Sequence, residues 1–103
     1  MKYIVRRTDL ANEDLLSAIN YIADDTKSTA FAINYLDKLE EAIMKLSEFP
    51  EMGVKPRYTS LRLQGFRVLI VESHLVFYKI IKDKQEIMIY RIFHGNQDYI
   101  NLI

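Results

Sequence analysis

The chain has 103 residues, of which half are hydrophobic and 27% charged, with a net charge of zero and no cysteine. That length fits one domain spanning 1–103, and the composition excludes a disordered chain. Disulfides and thiolate metal sites are excluded, and the apolar runs are too short to cross a bilayer as a helix.

MKYIVRRTD carries no signal-peptide apolar core, so a cytoplasmic setting is expected. KYIVRR (2–7) reads as a short strand with β-branched residues at its centre. In the segment that follows, Thr8 or Asp9 can cap a helix whose first turns carry Glu13 and Asp14, favourable at the positive end of the dipole. Leu15, Ile19 and Ile22 recur at helical spacing, with Leu16 and Ala23 beside them, and predict one buried stripe.

Lys27-Ser28-Thr29 interrupts this pattern and offers a second cap. Ala32, Tyr35, Leu36, Leu39, Ala42, Ile43 and Leu46 then recur at helical spacing until Pro50 ends the helix. The short link predicts an antiparallel helix pair. Beyond it the period changes to that of strands. FRVLIV (66–71), HLVFYKII (74–81) and EIMIYRIF (86–93) are rich in Val, Ile, Tyr and Phe. Links this short predict antiparallel neighbours. Strict alternation in the last strand would put Ile87, Ile89, Arg91 and Phe93 on one face, and Met88, Tyr90, Ile92 and His94 on the other. The first strand is expected to join the sheet. The fold class is therefore α+β, with one sheet face covering the helix pair. The apolar tail, 98–103, is expected to dock on the sheet or on a partner.

The charges divide unevenly. Residues 1–51 hold six basic and ten acidic residues, a balance of −4, and residues 52–103 hold eight and four, a balance of +4. Lys55, Arg57, Arg62 and Arg67 fall in a stretch without a single acid. Such a stretch is either a solvated basic loop or a patch for phosphates or an acidic peptide. Tyr58, Tyr78, Tyr90 and Tyr99 lie in the same half. They suit base stacking, or core packing with the hydroxyl at the boundary, and the second reading is preferred for Tyr78 and Tyr90.

Two histidines, no cysteine and no Asp-rich loop give no basis for a metal site, and nothing in the chain calls for a cofactor. His74 follows a tight turn and is expected to face solvent. His94 closes the last strand. It reads either as a strand-end histidine bonded to a nearby carboxylate such as Asp98, or as a general acid/base. Arg67 and Arg91 interrupt apolar strands, where each either faces water or binds phosphate.

Taken in order, several segments resemble the RelE/ParE superfamily of bacterial toxins. They are AxxDLxxxxxYI in Ala11–Ile22, LxxxIxxLxxFPxMG in Leu39–Gly53, GFR (65–67), SHLVFYKI (73–80) and IYRIFHGNQDY (89–99). The SHxVFY strand and the R-I-x-H ending are more similar to ParE than to RelE. The resemblance implies an N-terminal β-strand and an antiparallel helical hairpin packed on a small twisted antiparallel β-sheet. It also implies the toxin of a type II toxin–antitoxin pair, active in growth inhibition and plasmid stabilisation and wrapped by a cognate antitoxin whose binding residues it does not assign. ParE-like members poison DNA gyrase, whereas RelE-like members cleave mRNA in the ribosomal A site without a metal. Where RelE-like enzymes carry basic residues, this chain places Leu69, Leu75 and Asn96. Arg67, Arg91 and His94 remain as catalytic candidates for a nuclease. Lys55, Arg57, Arg62 and Arg67 remain as candidates for target or phosphate binding. The departure favours ParE-like gyrase binding, with the mRNA endonuclease as the alternative.

Overall fold

A computed structural model describes residues 2–95 and 97–103. Strand β1 (Ile4–Arg7) leads into helices α1 (Asp9–Thr26) and α2 (Thr29–Lys45). A short helix α3 (Thr59–Leu63), strands β2 (Phe66–Val71), β3 (His74–Ile81) and β4 (Glu86–His94), and a terminal turn of helix α4 (Tyr99–Leu102) complete the order. Both long helices start where side-chain oxygens meet free amide donors. Thr8 accepts from the Ala11 N–H, and Ser28 from the Phe31 N–H. Lys27 ends α1 in the left-handed region, at φ 56°, and turns the chain directly into the Ser28 cap.

The sheet runs β1-β4-β3-β2. The three C-terminal strands pair antiparallel, but β1 lies parallel to β4, with Ile4 opposite Glu86 and Arg7 opposite Ile89. The sheet is thus mixed, where an antiparallel one was expected. Two helices separate β1 from the meander, and a connection that long allows a parallel return.

Strict alternation in β4 does not hold. Phe77 pairs with Arg91 but Tyr78 pairs with Ile89, so Tyr90 is an extra residue in a β-bulge. The bulge reverses the phase of everything after it. Ile87 and Ile89 pack with Ile92 in the core beneath the helices, while Phe93 joins a second cluster. The expected grouping of Ile87 and Ile89 with Phe93, against Ile92, is therefore wrong.

Both faces of the sheet are covered. On one face Leu15, Leu39, Ile43 and Leu46 meet Leu69, Val76, Tyr78 and Ile89. Each such side chain, fully buried, contributes roughly 1.5–3 kcal/mol of transfer free energy. On the other face Leu61 of α3 and the tail residues Tyr99, Ile100 and Ile103 close over Phe66, Phe77 and Phe93. The tail docks on the sheet, one of its two expected places. Leu16 lies outside the α1 stripe and is exposed, because α1 buries only the side carrying Ala11 and Leu15.

β1 ends at Arg7, but β4 continues to His94, which leaves part of β4 without a strand partner on that side. Side chains from α1 and its cap replace the strand. The Thr8 hydroxyl donates to the Tyr90 carbonyl at 2.7 Å, and the Asp14 carboxylate accepts from the Ile92 N–H at 2.9 Å. Thr8 both caps the helix and extends the ladder, so helix start and strand end are set together.

Candidate functional site

Two regions gather the polar side chains singled out in the sequence. The first is a groove of about 840 Å³ between the helical hairpin and the ends of β3 and β4. His74 and His94 pair across the two strands, with ring centroids 5.5 Å apart and planes nearly perpendicular. The β4 bulge creates this neighbourhood: without it His94 would fall on the opposite face of the sheet from His74.

His74 was expected in solvent, yet it is only 5% exposed. Tyr35 of α2 covers it edge-on, and its hydroxyl lies 2.7 Å from His74 Nδ1. The Ser73 N–H donates to the same Tyr35 oxygen at 3.2 Å, and Ser73 Oγ stands 3.0 Å away. The imidazole tautomer sets which of the two atoms donates in the Tyr35–His74 bond. Burial pushes the His74 pKa below its ordinary value, and the nearby His94 lowers it further. The His94 N–H donates to Gln97 Oε1 at 2.7 Å, and Asp98 accepts from the Asn101 side chain. Asn96, within the 94–99 rim, lies outside the described residues.

Arg91 serves a different purpose. Its Nε and Nη2 donate to the two oxygens of Asp14 at 2.8 and 3.0 Å, and Nη1 donates to the Leu102 carbonyl at 3.0 Å. The guanidinium also lies over the Phe93 ring, 4.7 Å from its centroid. It therefore ties α1 on one side of the sheet to the tail on the other. The bond to Asp14 raises its already high pKa.

The second region is a hollow of about 410 Å³ at the β2 edge, lined by Lys55, Arg62, Arg67 and Lys82 together with Glu51. Arg67 donates to the Gly53 and Glu51 carbonyls at 2.7 and 3.0 Å. Arg62 donates to the Pro56 and Arg57 carbonyls and to the Thr59 hydroxyl. Arg57 stands apart from these lining residues, its guanidinium over the Tyr58 ring at 5.1 Å. Lys82, at the end of β3, had not been singled out. It follows a strand in sequence, and only the hairpin brings it to the 55–67 segment.

The structure thus separates the three catalytic candidates. Arg67 holds the 51–53 segment at the β2 edge, Arg91 holds α1 and the tail beyond β4, and His94 sits at the strand ends beside His74. Tyr78 also departs from expectation. Its hydroxyl is inside the protein, donating to the Pro50 carbonyl at 2.7 Å and accepting from the Gly53 N–H at 3.0 Å.

Among the described residues, no group of three or more His, Cys, Asp or Glu side chains is arranged to hold a metal ion, and no helix is long and apolar enough to cross a membrane. Several solved structures share the fold. The RelBE2 toxin–antitoxin complex of Mycobacterium tuberculosis has a chain 23% identical, with a TM-score of 0.66 over 91% of this chain and 92% of that one. The chromosomal ParDE system of P. aeruginosa has one 20% identical, with a TM-score of 0.73 over 90% and 96%. A mutant of the E. coli toxin RelE in the free state is 12% identical, with a TM-score of 0.66 over 99% and 93%. No curated protein sequence matches significantly. The family described as the ParE toxin of the type II toxin–antitoxin system parDE matches over residues 5–99, nearly the whole chain. The protein belongs to the ParE toxin family of type II toxin–antitoxin systems.

Proposed function

We propose that this toxin inhibits growth by binding DNA gyrase, with no bond-breaking chemistry of its own, and that a cognate antitoxin neutralises it. The observation that carries this reading is the separation of Arg67, Arg91 and His94. Metal-independent RNA cleavage needs a base for the 2′-hydroxyl, cations on the dianionic transition state and an acid for the leaving oxygen, all converging on one phosphate. Here Arg91 is neutralised by Asp14, and Arg67 is bound to backbone carbonyls at the far edge of the sheet. Two strand spacings, roughly 10 Å, separate β2 from β4 even before the side chains diverge. His74 is buried beneath Tyr35, where desolvation disfavours a positive charge in the groove. Membership of the ParE family agrees with a binding toxin.

The test is inducible expression of the chain alone and together with its antitoxin. The reading expects filamentation and DNA damage with translation intact, rescued by the antitoxin. Intact chromosomes, normal supercoiling and A-site cuts in mRNA abolished by His94→Ala would instead establish the endonuclease.

A further inference from the structure

The hollow at the β2 edge carries charge that the rest of the fold does not balance. Among the described residues, ion pairs engage Lys2, Arg6, Arg7, Lys38 and Arg91, and none engages Lys55, Arg62, Arg67 or Lys82. These four cations line one cavity in which Glu51 is the sole acid among the described residues. Arg62 and Arg67 are fixed in place, but by neutral oxygens: four backbone carbonyls and the Thr59 hydroxyl. A guanidinium bonded to carbonyls keeps its full charge, whereas one bonded to a carboxylate does not project it. The buried Arg67 Nε has no hydrogen-bond partner. Lys55 and Lys82 are exposed and free to reach outward from the rim. The arrangement is a fixed pair of cations flanked by two exposed ones.

We propose that this hollow binds the phosphodiester backbone of a nucleic acid. Rigid arginines set the spacing for successive phosphates, and the lysines supply adaptable contacts. Strand pairing sets a lysine among aromatic rings beside the hollow. Lys79 lies over Phe66, a residue of the hollow, at 4.6 Å and over Tyr90 at 5.0 Å. The inference goes beyond gyrase binding and stands separately from it, since contact with a protein target and contact with the nucleic acid held there are independent.

The experiment measures binding of the full chain to a labelled DNA duplex, an RNA hairpin of equal length and polyglutamate, between 50 and 200 mM salt. Neutralising about four phosphates predicts that log K falls against log salt with a slope of about −3.6 on duplex DNA. Lys55→Glu and Lys82→Glu should each weaken binding several-fold and lessen that slope, while Lys38→Glu, on α2, should not. Both lysines are exposed, so neither change threatens folding; circular dichroism checks this. Lysine-dependent binding to DNA, to RNA or to both supports the site and identifies which backbone it prefers. Absence of salt-dependent nucleic-acid binding overturns it, as does binding indifferent to both lysines. Polyglutamate binding as tight as that of nucleic acid also overturns it, by making the hollow a seat for an acidic protein. Gyrase inhibition without nucleic-acid affinity would remove this inference and leave the proposed function intact.

Discussion

Asp14 and Arg91, 77 residues apart in sequence, meet in a two-pronged ion pair with side chains 15% and 18% exposed. The same carboxylate accepts the Ile92 N–H, and the same guanidinium donates to the Leu102 carbonyl. One pair thus joins α1, the open edge of β4 and the tail. Removing one partner leaves a mostly buried charge without its counterion. Asp14→Ala should lower unfolding free energy by about 3 kcal/mol, toward the lower end of the range for such pairs because some water reaches this one. Urea denaturation measures this. Arg91→Met should cost a similar amount, because the apolar chain keeps contact with Phe93 but leaves the Asp14 carboxylate without its counterion.

Gly53 has no room for a side chain. An added Cβ would stand 2.6 Å from the Tyr78 hydroxyl and 2.7 Å from the Val68 carbonyl oxygen. The second neighbour is backbone and belongs to the Val54–Val68 bridge, so it cannot swing aside. Gly53→Ala is expected to destabilise by about 1–3 kcal/mol through overpacking. Tyr78→Phe should cost a similar amount for a different reason, about 1–3 kcal/mol, since the Gly53 N–H and the Pro50 carbonyl lose their shared partner. The double variant should cost less than the sum, because removing the hydroxyl also removes the nearest clash. Thermal or urea melts of the three proteins check both costs and the coupling.

His74 makes stability depend on pH in a definite direction. Its folded-state pKa lies below the ordinary value of 6.5. As pH falls, the unfolded chain takes up the proton first, so acid favours unfolding. The contribution of neutral His74 is complete above about pH 6.5 and is lost as pH falls from there through the folded pKa. Tyr35 and His94 contact the ring, Ser73 bonds to the Tyr35 hydroxyl, and Asp14 and Asp25 line the same groove. The expected outcome is a steeper loss of urea resistance between pH 7 and 5 in the parent protein than in His74→Gln. Parallel curves for the two proteins would contradict it.

Tyr99 anchors the tail. Its ring meets Phe77 at 5.0 Å, Tyr58 at 5.7 Å and Phe93 at 6.4 Å between centroids. Because the residue is only half-buried, Tyr99→Ala should cost about 2 kcal/mol, below the range for a fully buried aromatic. Amide hydrogen exchange should show faster exchange in β4 near Phe93, while β1 and α2 stay protected.

Local rules made most of the elements readable. The Thr8 and Ser28 caps, the helical stripes around Leu15 and Leu39, and the three apolar strands follow from residue type and spacing. The parallel place of β1 is different in kind, because no feature of residues 2–7 names its partner strand. The Tyr90 bulge was equally hidden: alternation reads straight through it, and only the pairing with β3 exposes the extra residue. That one residue decides which face receives Ile92 and His94, and so it decides the groove. His74 looked like a turn-flanking polar residue because its cover, Tyr35, comes from an element 39 positions earlier. Arg67 and Arg91 were visible as charges in apolar strands. Their separation depends on strand order and on which carbonyls and carboxylates lie within reach, which spacing along the chain does not encode.

The proposed function is binding to gyrase. It is tested most directly by adding the purified protein to gyrase and relaxed plasmid. Blocked supercoiling or accumulated cleaved plasmid is expected, undiminished in His94→Ala and reversed by stoichiometric antitoxin. Full gyrase activity at a large excess of the protein, alongside A-site cleavage of message in a translating extract, would contradict it.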